Sequence, residues 1–494
     1  MCGIAGVYLQ QAPQAVERMI HQLVHRGPDG QGVKNLPKGT LGHTRLAILD
    51  VEGGQQPMGI GGTWITFNGE IYNYRELASE HLKDEPLRTH SDTEVILHLY
   101  RKFGPRCVEL LDGMFALAII DGNELFLARD PLGIKPLYCG QQDGAFYFAS
   151  EVKALAQVTN TIQEFPAGCW FHSHTGWHPY FEIDSMEENG HSEADAIKLI
   201  RVVLKEAVRK RLLADVPVGI SLSGGLDSSI VAMLADQEAA SLHTFAVGMQ
   251  DSEDLVAARK MAAILGTQHH ERIYTEDEML AALPKVIYHL ESFDPALVRS
   301  AIPNFFLAEL ASKYVKVILT GEGADEIYAG YDYLRAIESP DELQDEMMDI
   351  TAALHNTNLQ RADRISMAFG LESRVPFLDV KSIILGLSLP PEQKTHRDRP
   401  AKYLLRRAFR DDLPEEIVNR PKQKFSKGAG SSQIIVQIAE REIGNATFQS
   451  ESARLLNRWG YRLSNKEALY YYQILRQHFE DQWIFPSMGQ SQSL

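Results

Sequence analysis

The stretch Ser-Gly-Gly-Leu-Asp-Ser-Ser at 223–229 constrains this chain most. Residues 216–222, Val-Pro-Val-Gly-Ile-Ser-Leu, are apolar and β-branched, the pattern of a buried parallel strand. Residues 230–236, Ile-Val-Ala-Met-Leu-Ala-Asp, read as a helix, with Ser228 or Ser229 expected near its N-cap. A strand, a glycine turn and a helix start bring unpaired N–H groups and the positive end of a helix dipole to one point, where phosphate is favoured. No lysine closes the loop, so it is not the G-x-x-x-x-G-K-[ST] phosphate loop. Asp227 stands instead where a metal-holding carboxylate is useful. The bland alternative is a Ser/Gly turn between two elements.

Around this loop the chain alternates strand and helix. Ser192 to Asp195 form a capping-box variant opening a long helix, with Ile197, Ile200, Leu204, Ala207, Val208 and Leu212 on one face. Lys198, Arg201, Lys205 and Arg209 take the other, which reads as a solvated face. Strands are expected at 242–247, 269–274 and 315–319, and a helix at 253–265. That alternation predicts a doubly wound parallel α/β sheet whose ligands bind at the carboxyl ends of its strands. Both 223–229 and 320–326, Thr-Gly-Glu-Gly-Ala-Asp-Glu, fall at such ends.

The region before this is different. Short strands at 3–9, 63–68, 114–121, 124–129 and 146–150, with helices at 12–25 and 92–103, predict an α+β domain. The acidic stretch 183–191 is the linker candidate. The expected domains are 1–185, 192–430 and a mainly helical extension, 431–494, whose polar tail 489–494 reads as disordered.

A length of 494 residues suits two or three domains. The net charge of −16 argues against a nucleic-acid or anionic-membrane partner, which needs clustered Lys and Arg. Cys2, Cys107, Cys139 and Cys169 lack CxxC spacing, and no signal peptide or membrane-length apolar run stands out. Together these predict reduced thiols and a cytoplasmic protein. The 17 histidines show no metal spacing and read as structural or surface residues.

Cys2 is small enough that removal of Met1 is expected, which leaves a free amine and a thiol on one residue. An α-amine titrates near pH ~8, so nucleophile and base are packaged together. Alone, a cysteine after Met means little. It is followed by His25-Arg26-Gly27-Pro28-Asp29-Gly30, His43-Thr44-Arg45-Leu46, Phe67-Asn68-Gly69-Glu70-Ile71-Tyr72-Asn73 and Ser91-Asp92-Thr93-Glu94. In that order and spacing these motifs resemble the class II glutamine amidotransferases, the N-terminal-nucleophile glutaminases. The resemblance implies that Cys2 attacks the glutamine amide and that Asn68 and Gly69 form the oxyanion hole. It implies that Arg45 takes the substrate α-carboxylate and Asp92 the α-ammonium group, with Leu46 and Glu70 completing the glutamine pocket. Read without it, Asn68-Gly69 is a hairpin turn and Arg45 with Asp92 a surface pair.

Residues 217–229, Phe245-Ala246-Val247-Gly248, the 320–326 loop, Arg364-Ile365-Ser366-Met367-Ala368 and Arg374-Val375-Pro376-Phe377-Leu378-Asp379 resemble the glutamine-hydrolysing asparagine synthetases, from the N-terminus to about residue 430. This implies an ATP pyrophosphatase (PP-loop) fold with ATP as substrate. Ser223, Gly224, Gly225, Asp227 and Ser228 would cradle the pyrophosphate, and Ser221, Val247, Thr320 and Gly321 would lie near the nucleoside. Mg²⁺ would sit between the phosphates and Asp227 and Asp325. Lys422, in Arg420-Pro421-Lys422-Gln423-Lys424-Phe425, matches a lysine near the phosphates. Glu322 matches an acid that deprotonates the attacking ammonium, and Arg299 falls where aspartate is contacted. Read without it, Lys422 is a solvated charge and Glu322 a helix N-terminal acid. The assembly expected is a homodimer, and Met114 is expected either on a shielded ammonia route or in ordinary core packing.

Thr320 departs mildly from a commoner serine, and beyond residue 430 the match thins. Three alternatives remain open at this level: a same-architecture amidotransferase acting on another carboxylate, a β-lactam-forming ligase (against which Cys2 weighs), and a non-catalytic relative.

Overall fold

The computed structural model describes residues 1–183, 190–239, 241–396, 398–422, 434–486 and 488. Most of the linker candidate, the tail 489–494, and Gln423, Lys424 and Phe425 lie outside the described residues. The chain divides into two compact units. The first comprises Met1–Ile183 with Leu213–Pro217 and Met367–Glu372; the second comprises Asp184–Leu212, Val218–Ser366 and Ser373–Leu494. The two short inserts cluster with the first unit although their sequence positions fall within 192–430, because a segment joins the unit its side chains pack against, whatever its place in the chain.

The first unit is built on two six-stranded antiparallel sheets. One runs in the order Ile162–Glu164, Tyr138–Gln142, Ala145–Ala149, Gly3–Tyr8, Gly39–Arg45, Gly30–Leu36. The other runs Gly176–Pro179, Cys169–His172, Glu124–Arg129, Gly113–Asp121, Thr63–Ile71, Met58–Ile60. Strand alternation gives each sheet an inner face. Ile4, Tyr8 and Leu41 of the first sheet share a core with Ala116, Ala118, Ile120 and Leu127 of the second. The second sheet's other face, Ile65, Phe67, Phe115 and Leu117, packs on Val95, Ile96 and Leu99 of the helix Asp92–Phe103. The N-terminal strand is therefore buried along its whole length, and Cys2 stands at its head.

Asn68 and Gly69 are not a hairpin turn. They lie within the nine-residue strand Thr63–Ile71, paired with Ala116 and Phe115. A Cβ at position 69 would come within 2.1 Å of the Met114 carbonyl oxygen, so close strand approach is what requires glycine here. The turn signal of an Asn-Gly pair is local, and the ladder with Gly113–Asp121 overrides it.

The second unit holds a parallel sheet in the order Gln268–Ile273, His243–Gly248, Val218–Ser221, Val317–Leu319, and Ser373 and Arg374 continue it at the edge beyond Val317–Leu319. In chain order the first three strands run outward in one direction, and the fourth returns to the other side of Val218–Ser221. That is a topological switch point, where the loops at the carboxyl ends splay apart and leave a crevice. The helices Glu276–Leu290 and Pro295–Ala311 add to the elements expected from the sequence; each carries an internal proline, Pro284 and Pro303, that interrupts the local helix signal while buried apolar faces still hold it. The region from Pro340 onward is mainly helical.

One boundary differs from expectation at the phosphate loop. The helix after it is Leu226–Asp236 with Gly225 as N-cap, not Ser228 or Ser229. The Ser228 hydroxyl donates to Gly225 O at 3.2 Å and accepts the Ser223 N–H at 3.3 Å, so it closes the loop from inside the first turn. Gly224 has φ +68°, and a Cβ there would meet the Ala257 backbone at 2.4 Å. The amides of Leu226, Asp227 and Ser228 precede the first intrahelical bond, Ser229 N–H to Gly225 O at 3.0 Å, and are the free donors of this helix start.

Candidate active sites

The first site gathers around Cys2. Its backbone N–H donates to Asn68 Oδ1 at 2.9 Å, and its Sγ lies 3.9 Å from Leu46 O. The Cys2 carbonyl accepts from buried Arg26 Nε at 3.0 Å, and Arg26 is anchored by Glu151 at 2.7 Å, so the backbone of Cys2 is held on both sides. Burial pushes the Cys2 thiol up, and a base is needed to make it a nucleophile near neutrality.

Asn68 Oδ1 accepts the Cys2 N–H, and among the described residues its buried Nδ2 has no hydrogen-bond partner. Gly69 follows from strand alternation. Tyr72 N–H bonds Asp112 O, so even-numbered residues of this strand bond toward the Gly113–Asp121 neighbour and odd-numbered ones point away. On the outward edge, Phe67 N–H is taken by Gln56 Oε1 at 2.7 Å and Ile71 N–H by Asp92 Oδ2 at 3.0 Å. Gly69 N–H lies between them on the same edge. Asn68 Nδ2 and Gly69 N–H are thus two donors suited to a developing oxyanion.

The flanking charges are set from other elements. Arg45 ends the strand Gly39–Arg45, and its guanidinium is oriented by Val51 O and Asp50 O, each at 2.7 Å. Asp92 opens the helix Asp92–Phe103 behind the N-cap Ser91, and burial raises its carboxyl to about 6. Glu70 is buried beside them in the strand. His43 of the same motif is a core residue: its Nδ1 meets Thr66 Oγ1 at 3.0 Å, and burial lowers it to about 3.

The second site lies at the switch point. Gly321 packs against the phosphate loop so closely that a Cβ would stand 2.8 Å from that of Asp227. This contact brings the 320–326 loop, and with it Asp325, to the start of the helix Leu226–Asp236. Between the two carboxylates lies Lys402, whose Nζ is 2.5 Å from Asp227 Oδ2 and 2.7 Å from Asp325 Oδ1. Lys422 Nζ binds the other Asp325 oxygen. Burial alone would raise Asp325, but the two ammonium groups overrule it and hold the carboxyl well below the usual range. Glu326, next in sequence, is pushed up to about 7 by burial and by the Asp325 charge, and accepts from Tyr331 Oη at 2.5 Å and Asn358 Nδ2 at 2.9 Å.

Ser221 ends its strand beside Phe245, Val247 lies two residues further along the neighbouring strand, and Thr320 follows the strand Val317–Leu319 with its buried Oγ1 unpartnered. These positions share one end of the sheet with the loop. Glu322 is paired with Arg361 Nη2 at 2.7 Å. Arg299 is on the helix Pro295–Ala311, and its partner is Glu467.

Residues 1–174 match the glutamine amidotransferase domain family, and residues 199–352 and 335–491 match the asparagine synthase family. The chain is 38% identical to a probable glutamine-hydrolysing asparagine synthetase of Schizosaccharomyces pombe, over 98% of this chain and 94% of that one. It is 36% identical to asparagine synthetase B of Escherichia coli, over 99% and 93% of the two chains, and 38% identical to asparagine synthetase 3 of Arabidopsis thaliana, over 97% and 88%.

The chain belongs to the asparagine synthetase family. The glutamine amidotransferase match falls in the first unit, and the asparagine synthase match falls mostly in the second. The similarity to family members extends past residue 430, where the sequence motifs thin out. Two contributors to these sites carry no sequence signal. Lys402 follows Pro400-Ala401 and resembles any lysine at a helix start; only its left-handed backbone (φ +58°) and buried side chain reveal it. Glu151 resembles a surface acid, yet it is fully buried against Arg26 and Lys153.

Proposed function

We propose that this chain is a glutamine-dependent asparagine synthetase. It hydrolyses glutamine at Cys2 and uses the ammonia to convert aspartate and ATP into asparagine, AMP and pyrophosphate, with glutamate as the other product. What supports the reading is near-full-length similarity to glutamine-hydrolysing asparagine synthetases in a chain where Asn68 meets Cys2 and the 223–229 loop is faced by two lysine-paired carboxylates.

In the first unit Cys2 Sγ attacks the glutamine side-chain carbonyl, and the oxygen's charge falls on Asn68 Nδ2 and Gly69 N–H. With Met1 attached, the Cys2 nitrogen is an amide and no base. Once Met1 is removed it becomes an amine that takes the thiol proton and hands it to the departing ammonia. Water then cleaves the thioester to glutamate. Arg45 takes the α-carboxylate and Asp92 the α-ammonium group, with Leu46 and Glu70 lining the pocket.

In the second unit a β-carboxylate oxygen of aspartate attacks the α-phosphorus of ATP. The α–β phosphoanhydride bond breaks, pyrophosphate leaves, and a β-aspartyl adenylate remains. The free amides at 226–228 and the ammonium groups of Lys402 and Lys422 are placed to receive the charge on the pyrophosphate. Ser223, Gly224, Gly225 and Ser228 shape that cradle, and Ser221, Val247, Thr320 and Gly321 form the nucleoside end. Ammonia attacks the acyl carbon and AMP leaves; Arg361 holds Glu322 Oε1, leaving Oε2 to take the surplus proton. Arg299 binds the aspartate.

The residues present fit a magnesium ion. Among the described residues no set of three or more His, Cys, Asp or Glu could hold a metal alone, but magnesium uses one or two carboxylates plus substrate phosphates, and buried Asp227 Oδ1 has no hydrogen-bond partner. Asp227 and Asp325 would hold it, and bound there it would neutralise phosphate charge. The reading carries with it a cytoplasmic homodimer without a nucleic-acid or membrane partner; no described helix is long and apolar enough to cross a membrane.

The test is a reconstitution. Protein given glutamine labelled at its amide nitrogen, aspartate and ATP should yield amide-labelled asparagine with pyrophosphate and AMP. Activity on another acid but not on aspartate would overturn the reading.

A further inference from the structure

Arg299 is a half-exposed arginine on the helix Pro295–Ala311, with 32% of its side chain accessible. Such a side chain ordinarily samples many rotamers. Here it is held. Its Nε donates to Glu467 Oε1 at 2.7 Å, and its Nη2 donates to Glu467 Oε2, so the edge of the guanidinium is gripped by both carboxylate oxygens. Tyr471 Oη donates to Oε1 at 2.8 Å from one turn further along.

Glu467 comes from the far end of the chain, in the first turn of the helix Lys466–Leu475, whose start is set by Asn465 Oδ1 accepting Ala468 N–H at 2.9 Å. It is only 2% exposed. A carboxylate that deeply buried is costly unless paired, and Arg299 and Tyr471 are the partners that satisfy it. The side-on grip uses Nε and Nη2, and the planar fork of the guanidinium turns Nη1 away from Glu467.

We infer that Glu467 is a positioning residue for Arg299, and that the C-terminal helix Lys466–Leu475 is thereby part of the aspartate site. The buried acid locks the guanidinium plane so that the Nη1 end is presented to a substrate carboxylate without a rotamer search. The inference rests on the reading of Arg299 as the aspartate contact. It makes a signed prediction, because the same acid could instead compete with substrate for the arginine. If it positions, its removal weakens aspartate binding; if it competes, its removal strengthens it. Glu467 is buried and fixed by Tyr471, so its grip on one edge of the guanidinium sets the orientation of the other.

The experiment measures steady-state synthesis in the full-length protein with Glu467→Gln, Glu467→Asp, Tyr471→Phe and Arg299→Ala variants. Glu467→Gln should raise the KM for aspartate about tenfold, with the KM for ATP and the rate of glutamine hydrolysis changed less than about twofold; Glu467→Asp should fall between it and the parent. Tyr471→Phe, which removes one hydroxyl and keeps the ion pair, should raise the aspartate KM by about twofold and reads the same relation if Glu467→Gln does not fold. An aspartate KM unchanged or lowered in Glu467→Gln, or in Tyr471→Phe should that variant be the one that folds, while Arg299→Ala raises it, overturns the positioning role. An aspartate KM unaffected by Arg299→Ala overturns instead the assignment of Arg299 itself.

Discussion

Lys402 Nζ lies 2.5 Å from Asp227 Oδ2, across 175 residues of chain, and 2.7 Å from Asp325 Oδ1. One ammonium group therefore joins the phosphate loop to the 320–326 loop and balances two carboxylates that would otherwise repel each other at close range. On the proposed function the same charge would stabilise a leaving pyrophosphate. Lys402→Met should lower ATP- and aspartate-dependent pyrophosphate release by about 100-fold or more, with glutamine hydrolysis retained. Pyrophosphate release at the parent rate would remove Lys402 from the site. The variant should also melt at lower temperature, because it leaves buried carboxylates short of a partner.

Cys2 and the adenylating residues belong to different units, so their losses should separate. Cys2→Ala is expected to abolish glutamine-dependent synthesis and to leave ammonia-dependent synthesis intact. Loss of both would argue against two distinct centres. Intact mass should show that the active protein lacks Met1; full glutaminase activity in protein retaining it would dismiss the amine as base.

Among the described residues Asn68 Nδ2 is a buried donor with no partner, on a side chain bonded to Cys2. Its contribution should therefore appear in the transition state. Asn68→Ala should lower the kcat of glutamine hydrolysis by about 10²–10³-fold, with a much smaller change in glutamine affinity. A loss confined to affinity would assign Asn68 to substrate binding instead.

The pH dependence of glutamine binding follows from Asp92. Burial raises its carboxyl to about 6 in the folded protein, above its ordinary value of 3.8. A raised carboxyl binds its proton more tightly folded than unfolded, so this group favours folding at low pH, and that contribution is lost as pH rises from the unfolded value through about 6. Binding has the opposite sign, since the α-ammonium group of glutamine needs the ionised form. Calorimetry on the Cys2→Ala protein should show glutamine affinity falling as pH drops through about 6, by up to about tenfold per pH unit below it. Asp92→Asn should bind weakly and without this dependence; a persisting slope in that variant would point to another group.

Much of this molecule is written locally. The strand–glycine–helix at 223–229 is legible because a turn that needs φ > 0 and an unpaired helix start are properties of neighbouring residues. The alternating second unit, the short-stranded first unit and the motifs around Cys2, Asn68 and Asp92 are legible for the same reason. Where a local signal and the structure part, the cause is also local. The Asn-Gly pair at 68–69 carries a turn signal, and only pairing with Gly113–Asp121 makes it mid-strand. Ser228 looks like a cap, and only its bonds to Ser223 and Gly225 place it inside the first turn.

The sequence by itself determined the two kinds of layer, the phosphate loop and the glutaminase motifs, since these depend on periodicity and on chemistry within a few residues. Tertiary structure alone decided which charges meet: Lys402 with Asp227 and Asp325, Arg26 with Glu151, Arg299 with Glu467. Each of these pairs joins residues more than a hundred positions apart, or bridges them by a buried side chain that on a helix or loop looks like an ordinary solvated charge. A buried charge is tolerated only where its partner is brought to it, and that is a property of the packed chain and not of any segment.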